Sequence, residues 1–378
     1  MASITVEQVM QALRGVDDPD LRKDIVTLNM ARDVRVEGQR VSLRLVLTTP
    51  ACPLKDRFRA DIEAALRPLG VTSVEVEFDA EVRKAPGAAP QGGQPGAAPT
   101  APRMPDVKAV IAVASGKGGV GKSTVATNLA VSLARTGARV GLLDADIYGP
   151  SMPVMLGLRG ARPTIDEKLG KIIPLERHGL KVMSMGFMLE EADAVVWRGP
   201  MLGKALQQFI EDVLWGELDY VVVDMPPGTG DVQLSLAQLL PVAGAVVVTT
   251  PQDVAFADVR RAIRMFEMTR TRVLGLVENM SHFVCPSCGA DHQIFGASRI
   301  DAHAEAHGLE VLGRLPLDAV TAVAADAGEP IVIAEPDSPA AAEYARLAGQ
   351  VAQKLAILTH GQADPTSKFA AFFQGKPG

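Results

Sequence analysis

Eight consecutive residues, Gly116-Lys117-Gly118-Gly119-Val120-Gly121-Lys122-Ser123, match the spacing G-x-x-x-x-G-K-[ST] at every fixed position. That spacing does phosphate chemistry. The glycines let backbone N–H groups wrap a phosphate, and a following helix adds the positive end of its dipole. Lys122 is positioned to reach terminal phosphates and the Ser123 hydroxyl to bind Mg²⁺. A second chemistry lies far downstream, in Cys285-Pro286-Ser287-Cys288-Gly289. Two cysteines three apart can bind one metal between them. The chain has only one other cysteine, Cys52, and no second pair. A closed four-thiolate site therefore needs another subunit. An [Fe–S] cluster, Zn²⁺ and an intrachain redox disulfide are all open readings, though this C-x-x-C begins no thioredoxin-like helix. His282 and His292 flank the pair and read as structural.

These residues need elements to hold them. Val110–Ala114 reads as a buried strand and Thr124–Ala134 as a helix, which is the strand–loop–helix context of a phosphate loop. Apolar runs recur at Val107–Ala114, Arg139–Leu143, Leu180–Met185, Tyr220–Asp224, Ala245–Thr250, Val273–Glu278 and Val311–Leu315. Helical patterns separate them. Such runs suit a mostly parallel α/β sheet covered by helices on both faces, with working loops at the carboxyl ends of the strands. Two of those ends carry acids. One is Asp144-Ala145-Asp146, which could instead cap the next helix; the other is Asp224, followed by Met225-Pro226-Pro227-Gly228-Thr229-Gly230-Asp231. A third end carries Glu278-Asn279.

Residues 1–84 read helix, strand, strand, helix, strand, a small α+β domain. The second helix is expected to start at Pro53. Cys52 precedes it, where a helix N-terminus would lower a thiol's pKa; a small buried turn residue is the other reading. Residues 85–105 are rich in Pro, Gly and Ala and nearly free of charge, as expected of a flexible linker. Residues 106–359 form the nucleotide-binding domain. The tail 360–378 is polar until Phe369, Phe372 and Phe373, which share one short helical face and would pack back onto the domain, a partner-docking or membrane-touching element being the other reading.

Composition limits the partners. Hydrophobic content of 47% and charged content of 22% fit a soluble globular chain. A net charge of −6 without a basic tract argues against broad nucleic-acid binding. No apolar run reaches membrane-spanning length and the first residues lack a signal pattern, so a cytoplasmic protein is expected.

The early lysine, Lys117, makes the loop resemble the deviant phosphate loop of the MinD, nitrogenase-iron-protein and ParA group of ATPases. In that group this lysine touches the nucleotide of a dimer partner, where a cation supplied in trans stabilises the transferring phosphoryl group. Together with Asp144-Ala145-Asp146-Ile147-Tyr148-Gly149-Pro150-Ser151, Asp224–Asp231, Glu278-Asn279-Met280-Ser281 and the cysteine pair, the chain resembles the Mrp/ApbC family of iron–sulfur carriers. Val16-Asp17-Asp18-Pro19-Asp20 and Thr48-Thr49-Pro50-Ala51-Cys52-Pro53 resemble the iron–sulfur-assembly domain that often precedes them, although that domain usually has Glu where Asp20 stands. The resemblance implies a P-loop NTPase that works as a homodimer. ATP would be bound by Gly116 through Thr124, with Asn279 reading adenine. Mg²⁺ would be held near Ser123, Asp144 and Asp224. Lys117, Lys122 and Asp146 would be catalytic, Asp146 placing the attacking water. A [4Fe–4S] cluster would bridge Cys285 and Cys288 of two subunits, for transfer among scaffold proteins and apoproteins. A partitioning or positioning ATPase and a zinc-bridged scaffold are the rival readings.

Overall fold

The computed structural model describes residues 4–85, 103–147, 149–188, 206–285 and 287–360. Most of the expected linker (86–102), Tyr148, Pro286 and the tail with Phe369, Phe372 and Phe373 lie outside the described residues. Contacts divide the described chain into two compact units. One holds the residues through Arg83 together with those from Ala352 onward; the other is Lys84–Val351.

The first unit starts with helix α1, Val6–Leu13, whose Thr5 and Gln8 form a reciprocal capping box. Strands β1 (Asp17–Asp18) and β2 (Lys23–Asp24) make a short hairpin. Within it the Asp18 carboxylate accepts the Asp20 and Leu21 N–H groups at 2.8 and 3.0 Å. Strands β3 (Ala31–Glu37) and β4 (Arg40–Leu47) pair antiparallel, and β5 (Ser73–Ala80) lies parallel to β4. Helix α2 runs Lys55–Leu66, two residues later than Pro53, because Leu54 is still non-helical. Its Phe58, Ile62 and Leu66 repeat every four residues and are fully buried with Val9, Leu13 and Leu45. Each such side chain contributes about 1.5–3 kcal/mol through burial. Also within this unit, the Gln353 amide donates to both Asp20 carboxylate oxygens at 2.7 and 2.8 Å.

The second unit is built on an eight-stranded sheet ordered β10-β11-β7-β12-β6-β13-β14-β17. Its strands are β6 (Val107–Ser115), β7 (Val140–Asp144), β10 (Leu175–Arg177), β11 (Leu180–Ser184), β12 (Leu218–Asp224), β13 (Val242–Thr249), β14 (Val273–Glu278) and β17 (Val311–Arg314). Only the edge pair β10–β11 is antiparallel. Valine and isoleucine runs fill β6 and β12, and almost every residue in them is buried, as a strand covered on both faces requires. Helix α3 (Lys122–Arg135) carries the chain from β6 one way across the sheet to β7. Helix α6 (Asp253–Met268) carries it the other way, from β13 to β14. Right-handed crossovers therefore place these two helices on opposite faces. Direction reverses at β6, so the crevice opens at its carboxyl end, where the phosphate loop begins.

Two hairpins lie off the main sheet. Strands β8 (Thr164–Asp166) and β9 (Lys171–Ile173) form one, and β15 (Phe283–Val284) with β16 (Asp291–His292) forms the other. Further helices include α4 (Met152–Met155), α5 (Asp231–Leu239), α7 (Ile300–Ala306), α8 (Ala319–Asp326), α9 (Ile331–Ala334) and α10 (Pro339–Thr359). Among the described residues no helix is long and apolar enough to cross a membrane.

Candidate functional site

The phosphate loop joins β6 to α3 and is shaped by close approaches. A Cβ on Gly116 would lie 2.2 Å from the Asp258 backbone in α6, so any larger residue would force the loop and helix apart. Gly121 has φ +78° and caps α3 in the left-handed region; a Cβ there would meet the Asn279 amide nitrogen at 2.1 Å. That amide donates to the Val120 carbonyl at 2.9 Å. Asn279 therefore braces the loop from the end of β14, with one of its two amide hydrogens in use. Ser115 donates to the Lys117 carbonyl at 2.8 Å, while the Lys117 ammonium makes no ion pair among the described residues.

These contacts make Gly121→Ala an informative variant. A left-handed alanine costs about 1–2 kcal/mol before the Asn279 clash is counted. The expected result is a melting temperature lower by roughly 2–8 °C, with weakened ADP binding by calorimetry. Unchanged affinity would show that this loop conformation is not the one that holds phosphate.

Lys122 is buried and points into a pair of carboxylates. Its ammonium donates to Asp224 in a short contact and lies 3.7 Å from Asp146 and 3.5 Å from the Ser123 hydroxyl. Asp144 and Asp224 end neighbouring strands in register, so their charges face one another at the crevice. Both are fully buried. Burial first, then the Asp224 charge, pushes Asp144 up to about 7. The Ser184 hydroxyl at 2.9 Å and the Asp146 and Met152 N–H groups at 3.1 and 3.2 Å oppose that rise. Burial also raises Asp224, against the opposing pull of Lys122. Ser184, at the end of β11, belongs to no motif and sequence reading missed it.

Asp224 Oδ2 has no hydrogen-bond partner among the described residues although it is buried. An orphaned carboxylate oxygen near the Ser123 hydroxyl, with Asp144 beside it, is a donor set of hard oxygens that suits Mg²⁺. The loop after Asp224 is tied to the phosphate loop's strand: the Gly228 N–H donates to the Ser115 carbonyl at 3.2 Å. The Gln233 amide donates to the Pro227 carbonyl in a short bond.

The cysteine pair occupies the turn between β15 and β16. Cys285 N–H donates to the Ala290 carbonyl at 2.9 Å, and Gly289 N–H returns to the Cys285 carbonyl at 2.8 Å. Both thiols are free, Cys285 part-exposed and Cys288 exposed. Backbone N–H groups of Ser287 and Cys288, then the Cys288 thiol, lower the Cys285 pKa and favour its thiolate. The root of this loop is pinned. Ser281 N–H donates to the Leu315 carbonyl at 2.9 Å, Leu317 N–H to the His282 carbonyl at 2.7 Å, and the Ser298 hydroxyl to Glu278 in a short bond. His282 lies 2.7 Å from the Ser281 hydroxyl, and His292 pairs across the hairpin with Phe283. No group of three or more potential metal-binding side chains gathers among the described residues.

Of the two readings of Cys52, the structure supports the buried turn residue over the activated thiol. Burial pushes its thiol up to about 11, and the Asp18 and Asp20 charges add to the rise. The Leu54 N–H and the Lys55 charge oppose it too weakly. Desolvation wins over the helix N-terminus here.

With this geometry in view, comparisons with known proteins are specific. The family model described as NUBPL iron-transfer P-loop NTPase matches residues 106–352. The chain belongs to that family. A second model, described as iron–sulfur cluster assembly protein, matches residues 6–78. The iron–sulfur cluster carrier protein of Deinococcus radiodurans is 48% identical over 93% of this chain and 96% of its own length. The protein of the same description from Synechocystis is 46% identical over 94% and 99%. A solved nucleotide-binding protein of Archaeoglobus fulgidus, in complex with ADP, is 40% identical, with a TM-score of 0.56 over 64% of this chain and 93% of that one. The cell-division ATPase MinD of Pyrococcus furiosus, 22% identical with a TM-score of 0.50 over 64% of this chain and 98% of its own, shares the fold. Membership in this iron-transfer family gives the phosphate loop and the thiol hairpin a common context.

Proposed function

We propose that this chain is an ATP-hydrolysing carrier that, as a homodimer, holds a [4Fe–4S] cluster between the Cys285 and Cys288 thiols of two subunits and delivers it to apoproteins. One observation carries the reading. Asn279 grips the phosphate loop, and the same strand end leads six residues later into the hairpin that presents both free thiols. Nucleotide and cargo sites are thus joined by one short stretch of chain. A single chain offers two thiolates there, and a [4Fe–4S] cargo takes four. The family relatives described as cluster carriers support the cargo, and the ADP-bound relative supports the nucleotide.

In this reading Gly116 through Thr124 cradle the phosphates, Lys122 neutralises charge on the β- and γ-phosphates, and Lys117 reaches the partner's nucleotide. Ser123 and Asp224, with Asp144 behind them, would hold Mg²⁺, which supplies Lewis-acid stabilisation of the phosphoryl oxygens. Asp146 orients the attacking water, and Asn279 offers its remaining amide groups to adenine. Because Lys122 pairs with Asp224 and Asp146, nucleotide binding must redistribute these charges and so shift both strand-end loops.

Anaerobic reconstitution with iron and sulfide tests the cargo. About four irons and four sulfides per dimer, bound by the whole chain, are expected. One zinc per dimer and no iron uptake would favour a zinc-bridged scaffold instead.

A further inference from the structure

We propose that the outer face of α6 is a docking groove for an acidic, apolar-tipped peptide segment of a partner protein. Arg260, Arg261 and Arg264 line an open groove of about 480 Å³, with Ala257, Met265 and Met268 on the same helix and Thr229 on the facing loop. Their spacing places them along one side of three helical turns, a length of about 16 Å. An extended segment of about five residues spans that distance.

Charge complementarity selects the occupant. Three guanidinium groups gather here on a chain whose net charge is −6. Among the described residues Arg261 pairs only with Asp258 and Arg264 only with Glu267, each three residues away on the same helix, and the arginine side chains stay 70% and 75% exposed. Such surface pairs are weak and leave donors free for another carboxylate. Arg260 makes no ion pair or hydrogen bond among the described residues. The apolar lining selects further. Met268 is 56% exposed, and thioethers accommodate varied aliphatic side chains. Among the described residues no aromatic ring lines the groove, so they offer no stacking platform of the kind single-stranded nucleic acid uses.

Position gives the groove its use. Its far wall, Thr229, sits between Gly228 and Gly230 in the loop that leaves Asp224. Its helix backbone touches the phosphate loop at Gly116. A partner docked here stands against both nucleotide-contacting loops. If the carrier reading above holds, that partner is a recipient of the cluster; the docking chemistry itself does not depend on it.

Fluorescence anisotropy on the full chain tests this. The probe is a fluorescein-labelled 12-residue peptide of Glu, Asp, Leu and Met, compared with the same peptide carrying Gln and Asn and with an oligothymidylate of equal charge. Arg260→Glu/Arg264→Glu should weaken peptide binding at least about tenfold, and Arg260→Gln/Arg264→Gln should weaken it less. Arg40→Glu/Arg67→Glu, an equal charge change in the first unit, should leave it unchanged. The neutral peptide should bind at least about tenfold more weakly, and added salt should weaken the acidic one. Equal binding by the groove variants or by the neutral peptide overturns the proposal. So does tighter oligothymidylate binding through the same arginines, or loss of a dimer on light scattering in the Glu variant, which would assign the face to a second copy. Iron uptake is measured on the same samples. Peptide docking through these arginines without iron uptake would defeat the carrier reading alone.

Discussion

Lys122→Ala is expected to lower ATP hydrolysis by on the order of 10²–10³-fold, the scale of losing one preorganised charge at a phosphoryl-transfer site. The variant also has a structural cost. Lys122 is buried, and its removal strands the fully buried Asp224 without its cation. Breaking such a pair costs about 3–5 kcal/mol if the remaining charge stays ionised. Asp224 is already raised above 3.8 by burial, and losing Lys122 raises it further. Between the unfolded value and that raised one, the folded state binds more protons than the unfolded state. Stability therefore falls as pH rises through this window. The variant's melting temperature should fall more steeply than that of the wild type as pH rises above the unfolded value of 3.8. Lys122→Ala/Asp224→Asn removes the stranded charge and should recover most of the stability and none of the hydrolysis. Turnover near the wild-type rate in either variant would remove Lys122 from the mechanism.

Cys285→Ser and Cys288→Ser should each take bound iron from about four per dimer to near none, since each substitution removes two of four thiolates by symmetry. A serine hydroxyl stays protonated at neutral pH and is a poor ligand for iron. The contrast is sharpest at Cys285, whose environment favours the thiolate. Hydrolysis should persist at least in part, because the phosphate contacts lie on other loops. Cys52→Ser should retain the cluster, because that thiol is held protonated by burial. Full iron retention in the double Cys285→Ser/Cys288→Ser variant would move the cluster elsewhere.

The seven parallel strands were legible because each is a short apolar-rich run, with valine or leucine in every one, set between helical patterns. The antiparallel edge strand Leu175–Arg177 and the hairpins at Thr164–Ile173 and Phe283–His292 were not. Strands of two or three residues, partly polar, have no measurable period. The phosphate loop was legible because backbone geometry dictates glycine at fixed offsets. Ser184 was silent because its link to Asp144 spans forty residues and depends on strand order alone. The two readings of Cys52 stayed open in the sequence because chain position reveals a helix start and not how deeply the thiol is buried. The arginines of α6 gave no signal in the sequence, because the groove they line is completed by Thr229 on a separate loop.

The bond from Gln353 to Asp20 has a consequence for the order of synthesis. The hydrophobic core of the first unit is drawn from residues 4 to 80 and can close once that stretch has left the ribosome. Its last hydrogen-bonding partner lies roughly 270 residues downstream of Arg83. At about 5–20 residues per second, that is a delay of roughly 15–50 s. During it the half-buried Asp20 carboxylate lacks the amide that helps keep it ionised. The first domain to emerge is thus the last to be finished, and its completion reports that the whole nucleotide-binding unit has been translated.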